Sequence, residues 1–209
     1  MKKIIYVSIV IIIGLLMISC EKQKPLKTIE DLKAAYNGES TASAKYAKFA
    51  EKATEDSLFN IATLFRAASK AEAIHADNHK KVLEKLAEKI GGPTIGEFVV
   101  KTTAENLADA IKGESYEVVT MYPDFIKDGE AESSKDAVKS FTWAFDTEKK
   151  HKEFYEKALA ELNAGNENTL PNKWFVCPVC GNTYDAGTVK NACDFCKTKK
   201  AKFQRFSNV

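Results

Sequence analysis

No apolar stretch of this 209-residue chain reaches the ~20 residues that a membrane-spanning helix requires; the longest, Ile4 to Ser19, stops short. Proline is scarce, at five residues, and only Pro93 and Pro123 fall between Thr28 and Gly165. The central part of the chain is therefore almost free of the residue that most effectively breaks helices. An excess of charge of one sign is lacking too. Removing the first 19 residues takes Lys2 and Lys3 away and lowers the 31 basic side chains to 29, level with the 29 acidic ones. A neutral domain offers neither nucleic acid nor an anionic membrane surface a bulk electrostatic partner. With 44% hydrophobic and 29% charged residues, the composition is globular, neither disordered nor membrane-embedded.

What is present at the N-terminus is a sorting signal. Lys2 and Lys3 precede the apolar run, and the small Ser19 precedes Cys20. The ending "LLMISC" resembles the lipobox of bacterial lipoproteins, with Met17 where Leu is usual, which makes Cys20 the lipid-modified first residue of the mature chain. The alternative is an uncleaved N-terminal anchor helix. Either reading places the protein in the cell envelope, held outside the cytoplasmic membrane as a periplasmic or surface lipoprotein. Residues 1–19 are then signal peptide and 20–27 a polar tether.

From residue 28 to residue 165 the apolar residues recur at helical spacing, which predicts an all-α four-helix bundle. Helix A spans about Ile29 to Thr54, with Leu32, Ala35, Tyr36, Glu39, Ser43, Tyr46 and Ala50 on one face. Helix B spans about Ser57 to Ile90, stopped by "GGP", and aligns Ile61, Leu64, Phe65, Ala68, Glu72, His75, His79, Val82 and Leu86. Helix C, from Thr94 or Ile95 to Lys127, carries Leu107, Ala110, Ile111, Glu114, Glu117 and Met121, and Pro123 kinks or ends it. Helix D begins near Ser133 or Ser134 and ends before Gly165, with Val138, Phe141, Phe145, Glu148, His151, Tyr155, Leu159 and Leu162 inward.

Acids recur on those apolar faces. Glu72 with His75, Glu114 with Glu117, and Glu148 with His151 are i, i+3 pairs, so each pair projects to one place. Buried carboxylates in such number are untenable unless cations neutralise them. A single E-x-x-H is usually two solvated polar residues. Two of them on alternate helices, with an inward Glu on each remaining helix, is the donor set of bundle di-metal sites. Carboxylates with imidazoles suit iron or manganese. His79, one turn beyond His75, reads as an outer neighbour of the site or a solvated residue.

After a polar linker at 166–173, residues 174–209 form a second module. Cys177, Cys180, Cys193 and Cys196 are two C-x-x-C pairs whose spacing suits a tetrahedral four-thiolate site for iron or zinc, two disulfides being the remaining possibility in an exported protein. Gly181 permits a tight turn after the second Cys. Trp174, Phe175, Tyr184, Phe195, Phe203 and Phe206 predict a miniature aromatic core completed by the metal.

Taken in order, "NGESTASAKYAKFA", "FRAASKAEAIHADNH", "IKGESYEVVTMYPDF" and "EKKHKEF" resemble the four metal-helix motifs of the rubrerythrin family, and the C-x-x-C pairs resemble its rubredoxin-like domain. The second knuckle, "CDFCK", departs from the rubredoxin pattern, with Asp194 where Pro is common and no Gly after Cys196. The resemblance implies a ferritin-like bundle whose Glu39, Glu72, Glu114, Glu117, Glu148 and His151 bind two non-haem iron ions, Glu72 and Glu148 bridging. It implies that His75 replaces Glu117 on reduction, that Tyr46 and Tyr122 line the site, and that one iron occupies the four-cysteine site, zinc being possible. The implied activity is reduction of hydrogen peroxide to water, with electrons from a donor protein relayed through the four-cysteine module, in a homodimer where the module serves the neighbouring subunit. The alternatives are a ferroxidase or iron-handling lipoprotein with a structural zinc ribbon, and a noncatalytic metal-binding lipoprotein.

Overall fold

The computed structural model describes residues 24–208, so the signal peptide, Cys20 and the lipobox lie outside the described residues. No helix among the described residues is long and apolar enough to cross a membrane. The bundle is built from α1 (Leu26–Glu55), α2 (Phe59–Lys85), α3 (Thr103–Tyr116), α4 (Tyr122–Ala131) and α5 (Lys135–Asn163). A π-helical segment, Glu117–Met121, joins α3 to α4, so these three pieces form one rod and the bundle has four. The fold is a ferritin-like four-helix bundle with one long crossover, between α2 and α3.

The apolar stripes account for the packing. Leu32, Ala35, Tyr36, Tyr46 and Ala50 of α1, and Ile61, Leu64, Phe65, Ala68 and Val82 of α2, are all buried. On α5 the most deeply buried stripe is displaced slightly from the expected one: Ala137, Ser140, Ala144 and Ala158 are buried, while Val138, Phe145, Leu159 and Leu162 are only partly so. Small residues there let the rods approach closely.

Helix ends depart from the expectation where non-glycine residues adopt left-handed backbone. Helix α2 ends at Lys85 rather than at the "GGP", because Ala87 takes φ 59°, and the Ala87 and Glu88 amides donate to the Glu84 and Leu83 carbonyls. The third helix begins at Thr103, not at Thr94 or Ile95. Thr102 and Glu105 form a reciprocal capping box that fixes the start there. The preceding strap instead crosses α1, where the Asn37 and Thr41 side chains accept from the Thr94 and Gly96 amides at 3.0 and 2.9 Å. Pro123 does not end the rod. The wider π turn just before it accommodates the missing amide and the ring, and α4 continues to Ala131.

Two apolar cores lie on either side of a polar layer. One contains Tyr46, Phe49, Phe65, Leu107 and Tyr155; the other contains Leu32, Tyr36, Leu83, Tyr122 and Phe141. Along every rod the inward acid falls between a residue of the first core and one of the second.

The C-terminal module is a three-stranded antiparallel sheet, ordered β2 (Thr183–Asp185), β1 (Lys173–Val176), β3 (Gln204–Ser207). Register places Trp174 opposite Asp185 and Phe206. The expected miniature core is there in part: Phe195 and Phe203 pack on the cysteines, while other aromatic residues of the module join the helices. Tyr184 and Phe203 stack within the module, 5.6 Å between centroids, but Trp174 and Val176 belong to the bundle core, with Trp174 edge-on to Phe154 at 4.7 Å. A segment this small cannot bury enough surface alone, so it shares the core of the helices.

Candidate metal centre

Glu39 on α1, Glu72 and His75 on α2, Glu114 on α3, and Glu148 and His151 on α5 converge in the polar layer, every one buried. They form two four-residue sets, Glu39, Glu72, His75, Glu148 and Glu72, Glu114, Glu148, His151, in each of which one donor atom per residue lies within 4.8 Å of the others. Glu72 and Glu148 belong to both. His75 Nδ1 is 3.0 Å from Glu72 Oε2 and 2.8 Å from Glu148 Oε1; His151 Nδ1 is 3.0 Å from Glu72 Oε1 and 2.8 Å from Glu148 Oε2. Each shared carboxylate thus directs one oxygen to each imidazole, as a bridge between two cations would. Glu39 Oε2, Glu114 Oε2, both Glu148 oxygens and His151 Nδ1 are buried without a well-aligned hydrogen-bond partner. Orphaned donors of this kind, converging from four rods, fit a pair of first-row metal ions.

Protonation reports the same strain. Burial and then neighbouring acids raise the Glu39, Glu114 and Glu117 carboxyls well above the usual range. Burial opposes the charged imidazoles, yet the adjacent carboxylates raise His75 to about 10 and His151 to about 9. Burial opposes the Glu72 charge as well, but His151 and His75 hold it at about 2. Protons therefore stand in for cations in the metal-free protein. Loading metal at neutral pH is expected to release protons, measurable as a dependence of the calorimetric binding heat on buffer ionisation enthalpy. The raised groups stabilise the metal-free fold fully below their unfolded values, about 4.3 for Glu and 6.5 for His, and progressively less as pH rises through their folded ones. Glu72 acts oppositely, but only below its unfolded value. The metal-free protein is therefore expected to melt at lower temperature at pH 9 than at pH 6. Metal should flatten that dependence, and a melting temperature rising with pH would contradict the assignment.

Glu117 stands outside both sets. It begins the π segment and is only partly buried, so the i, i+3 pairing with Glu114 expected of a regular helix is replaced by a looser turn. His75 occupies the converging position instead. The tyrosines expected at the site are there: Tyr46 donates to Glu114 Oε1 at 2.6 Å, and Tyr122 donates to Glu39 Oε1. Sequence reasoning passed over Tyr155 as a site residue. Its buried hydroxyl has no partner among the described residues, and it lies one turn beyond His151, a spacing that was available as a signal.

The four cysteines also converge, Cys177 Sγ 3.4 Å from Cys196 Sγ and Cys180 Sγ 3.4 Å from Cys193 Sγ. All four are free, and these separations are far beyond the ~2.05 Å of a disulfide. The two knuckles repeat one pattern. The Cys177 and Cys193 amides donate to the Asn182 and Thr198 carbonyls, and the Gly181 and Lys197 amides donate back to the Cys177 and Cys193 carbonyls. Gly181 has φ 79° and Lys197 has φ 63°, so the second knuckle makes without glycine the left-handed turn that the first makes with it. Lys197→Gly is expected to raise stability by about 0.5–1 kcal/mol, read from chemical denaturation.

The module lies directly on the metal layer of its own chain, whereas the resemblance placed it against a neighbouring subunit. Gly181 packs on His75 so closely that a Cβ there would sit 2.2 Å from Nε2. His151 Nε2 is 2.9 Å from Thr183 Oγ1, Lys150 Nζ donates to Asn182 Oδ1 at 2.7 Å, and Asn78 Nδ2 donates to the Val179 carbonyl at 2.9 Å. Both imidazoles thus show Nδ1 to the carboxylates and Nε2 to the residues just after Cys180.

Comparison with known proteins agrees with this geometry. The rubrerythrin family model matches residues 30–159. Rubrerythrin-2 of Clostridium acetobutylicum is 33% identical over 186 residues, covering 88% of this chain and 98% of that protein. Nigerythrin of Nitratidesulfovibrio vulgaris is 33% identical over 190 residues, covering 91% and 92%. The structure of fully reduced, all-ferrous nigerythrin superposes with TM-score 0.77 over 85% of this chain and 86% of that one, at 33% identity.

Proposed function

The chain belongs to the rubrerythrin family, and from that premise we propose that it is a di-iron peroxidase reducing hydrogen peroxide to water, H2O2 + 2H⁺ + 2e⁻ → 2H2O. The observation that carries this reading is the pair of four-residue donor sets sharing Glu72 and Glu148, with the four-cysteine module seated on both imidazoles. An iron pair bound there supplies two electrons, one from each ion, for cleavage of the O–O bond. The residues of the chain do the rest. Glu39, Glu72, Glu114, Glu148, His75 and His151 hold the pair in a layer closed by the two apolar cores. Tyr46 and Tyr122 orient Glu114 and Glu39 and hold hydroxyl protons at the edge of the layer. Glu117 waits on the π segment as an alternative donor to His75, free of the constraint that a regular turn would impose.

The four-cysteine module, holding iron, is the entry port for electrons from a donor protein. Amides of Val179, Cys180, Asn182 and Cys196 point at its sulfurs, as does the Tyr184 hydroxyl, and such hydrogen bonds set the potential of an iron–thiolate site. We further read the protein as a homodimer whose contact covers the exposed Ile95, Val99, Val100 and Val119. Cys20 is read as its lipid anchor on the outer side of the cytoplasmic membrane; mass spectrometry of the N-terminal peptide tests the anchor.

Anaerobic reduction followed by stoichiometric peroxide, read by visible absorption, tests the activity. Both iron chromophores should return much faster with peroxide than with air. Reoxidation by air alone would replace the peroxidase with a ferroxidase, and a colourless module would mark zinc and end the relay.

A further inference from the structure

The buried imidazole that the di-metal layer does not use is His79. It is fully buried one turn beyond His75, and both its ring nitrogens are engaged: Ser140 Oγ lies 2.8 Å from Nδ1, and Tyr122 Oη lies 3.2 Å from Nε2. Tyr122 in turn donates to Glu39 Oε1. At the other end Ser140 lines a surface groove of ≈ 590 Å³ together with Asn78, Lys81, Lys85, Asp136 and Lys139. Three groups therefore lead in hydrogen-bond contact from the groove-lining Ser140 to a carboxylate of the metal layer.

The direction of each hydrogen bond follows from counting protons. A carboxylate that ligates a cation is ionised and only accepts, so the single hydroxyl proton of Tyr122 is committed to Glu39. Tyr122 Oη must then accept from His79, which puts the ring proton on Nε2. The ring is fully buried with two hydroxyls as its partners and no carboxylate among them, an environment that favours the neutral form, so Nδ1 is bare. Nδ1 accepts from Ser140, whose oxygen is left to accept from water in the groove. Every donor points inward.

We propose that Ser140, His79 and Tyr122 form a proton path from the groove to Glu39 Oε1, with His79 the positioning residue that fixes its direction. The proposal rests on the peroxidase reading, in which forming two waters consumes two protons for every two electrons. One proton enters from groove water at Ser140, each group releases one proton inward as it accepts another, and Tyr122 delivers it at Glu39 Oε1, at the edge of the layer where peroxide would be reduced. Afterwards the chain points outward and must turn back, by ring tautomerisation and hydroxyl rotation, before the next delivery.

The test uses single-turnover reoxidation of the reduced, iron-loaded protein by hydrogen peroxide in H2O and D2O. Ser140→Ala and His79→Ala are expected to lose at least about tenfold in rate at unchanged iron content, since positioned proton transfer contributes ~10²–10⁴-fold and water repairs part of the gap. Imidazole added to His79→Ala should restore the rate, and the rates should respond more strongly to D2O in the variants. A merely structural role for His79 would slow the rate without rescue by imidazole and without a changed response to D2O, and that result too would overturn the path. A second readout needs no turnover: ¹⁵N NMR of the zinc-loaded protein should show His79 as the neutral Nε2–H tautomer. The Nδ1–H tautomer, or rates and isotope effects unchanged in both variants, would overturn the path. If peroxide fails to oxidise the wild-type protein, the peroxidase reading falls alone. The same isotope comparison with dioxygen, whose reduction also consumes protons, and the tautomer then decide the path.

Discussion

Glu72→Gln is expected to empty both metal positions at once. Glu72 offers one oxygen to each donor set, and Gln offers one oxygen and an amide that can only donate, so whichever way it lies one set loses an anion and meets an NH₂. Removing a partner that merely orients a ligand costs about 10–100-fold in metal affinity; removing a ligand shared by two ions should exceed the upper end of that range. Iron should fall from two bound ions in the bundle to fewer than one, while iron in the four-cysteine module stays, and peroxide turnover should become undetectable. Circular dichroism should show the helices intact, because the apolar cores on either side of the layer are untouched and Glu148 still faces both imidazoles. Retention of two bundle irons in this variant would disprove the shared-ligand assignment.

Gly181→Ala should separate the two halves of the protein. The new Cβ would sit 2.2 Å from His75 Nε2 and 3.2 Å from the Ala71 carbonyl, at a residue whose φ of 79° an L side chain already disfavours. The backbone strain alone is about 1–2 kcal/mol. His75 cannot retreat, since Nδ1 is packed against Glu72 and Glu148, so the module must lift from α2. Direct peroxide oxidation of the reduced bundle should continue, whereas re-reduction through the four-cysteine site should slow by at least about tenfold in stopped-flow traces. Equal slowing of both phases would mean that the contact serves the bundle fold rather than electron entry. The matching position of the second knuckle, Lys197, faces solvent and gives the opposite expectation, because there a glycine relieves strain without loss of contact.

Much of the donor set was legible along the chain because helical periodicity is a local property. Spacing of three and four residues fixes which side chains share a face, so Glu39, Glu72, His75, Glu114, Glu148 and His151 were placed inward from their apolar neighbours alone. The thiols were equally legible, since two C-x-x-C turns can present four sulfurs only to a common centre. Helix limits were less so. Ala87 in left-handed backbone ends α2, and a capping box rather than the strap before it begins α3, and neither a non-glycine stop nor an extended strap leaves a mark in periodicity.

Other features depend on contacts between parts distant in sequence. The π turn draws Glu117 out of register with Glu114 just before the proline-containing start of α4. His79 looked like a spare residue on a ligand face until Ser140 and Tyr122, from α5 and α4, met its two nitrogens. Seating of Gly181 and Thr183 on His75 and His151 joins residues more than thirty positions apart or more than a hundred, which no local spacing encodes. By itself the sequence determined the fold class and which side chains face inward, because periodicity and turn chemistry act within a few residues. Only the tertiary structure decided which donor stands in reserve, how protons reach the layer and where electrons enter, because each of these depends on the approach of one element to another.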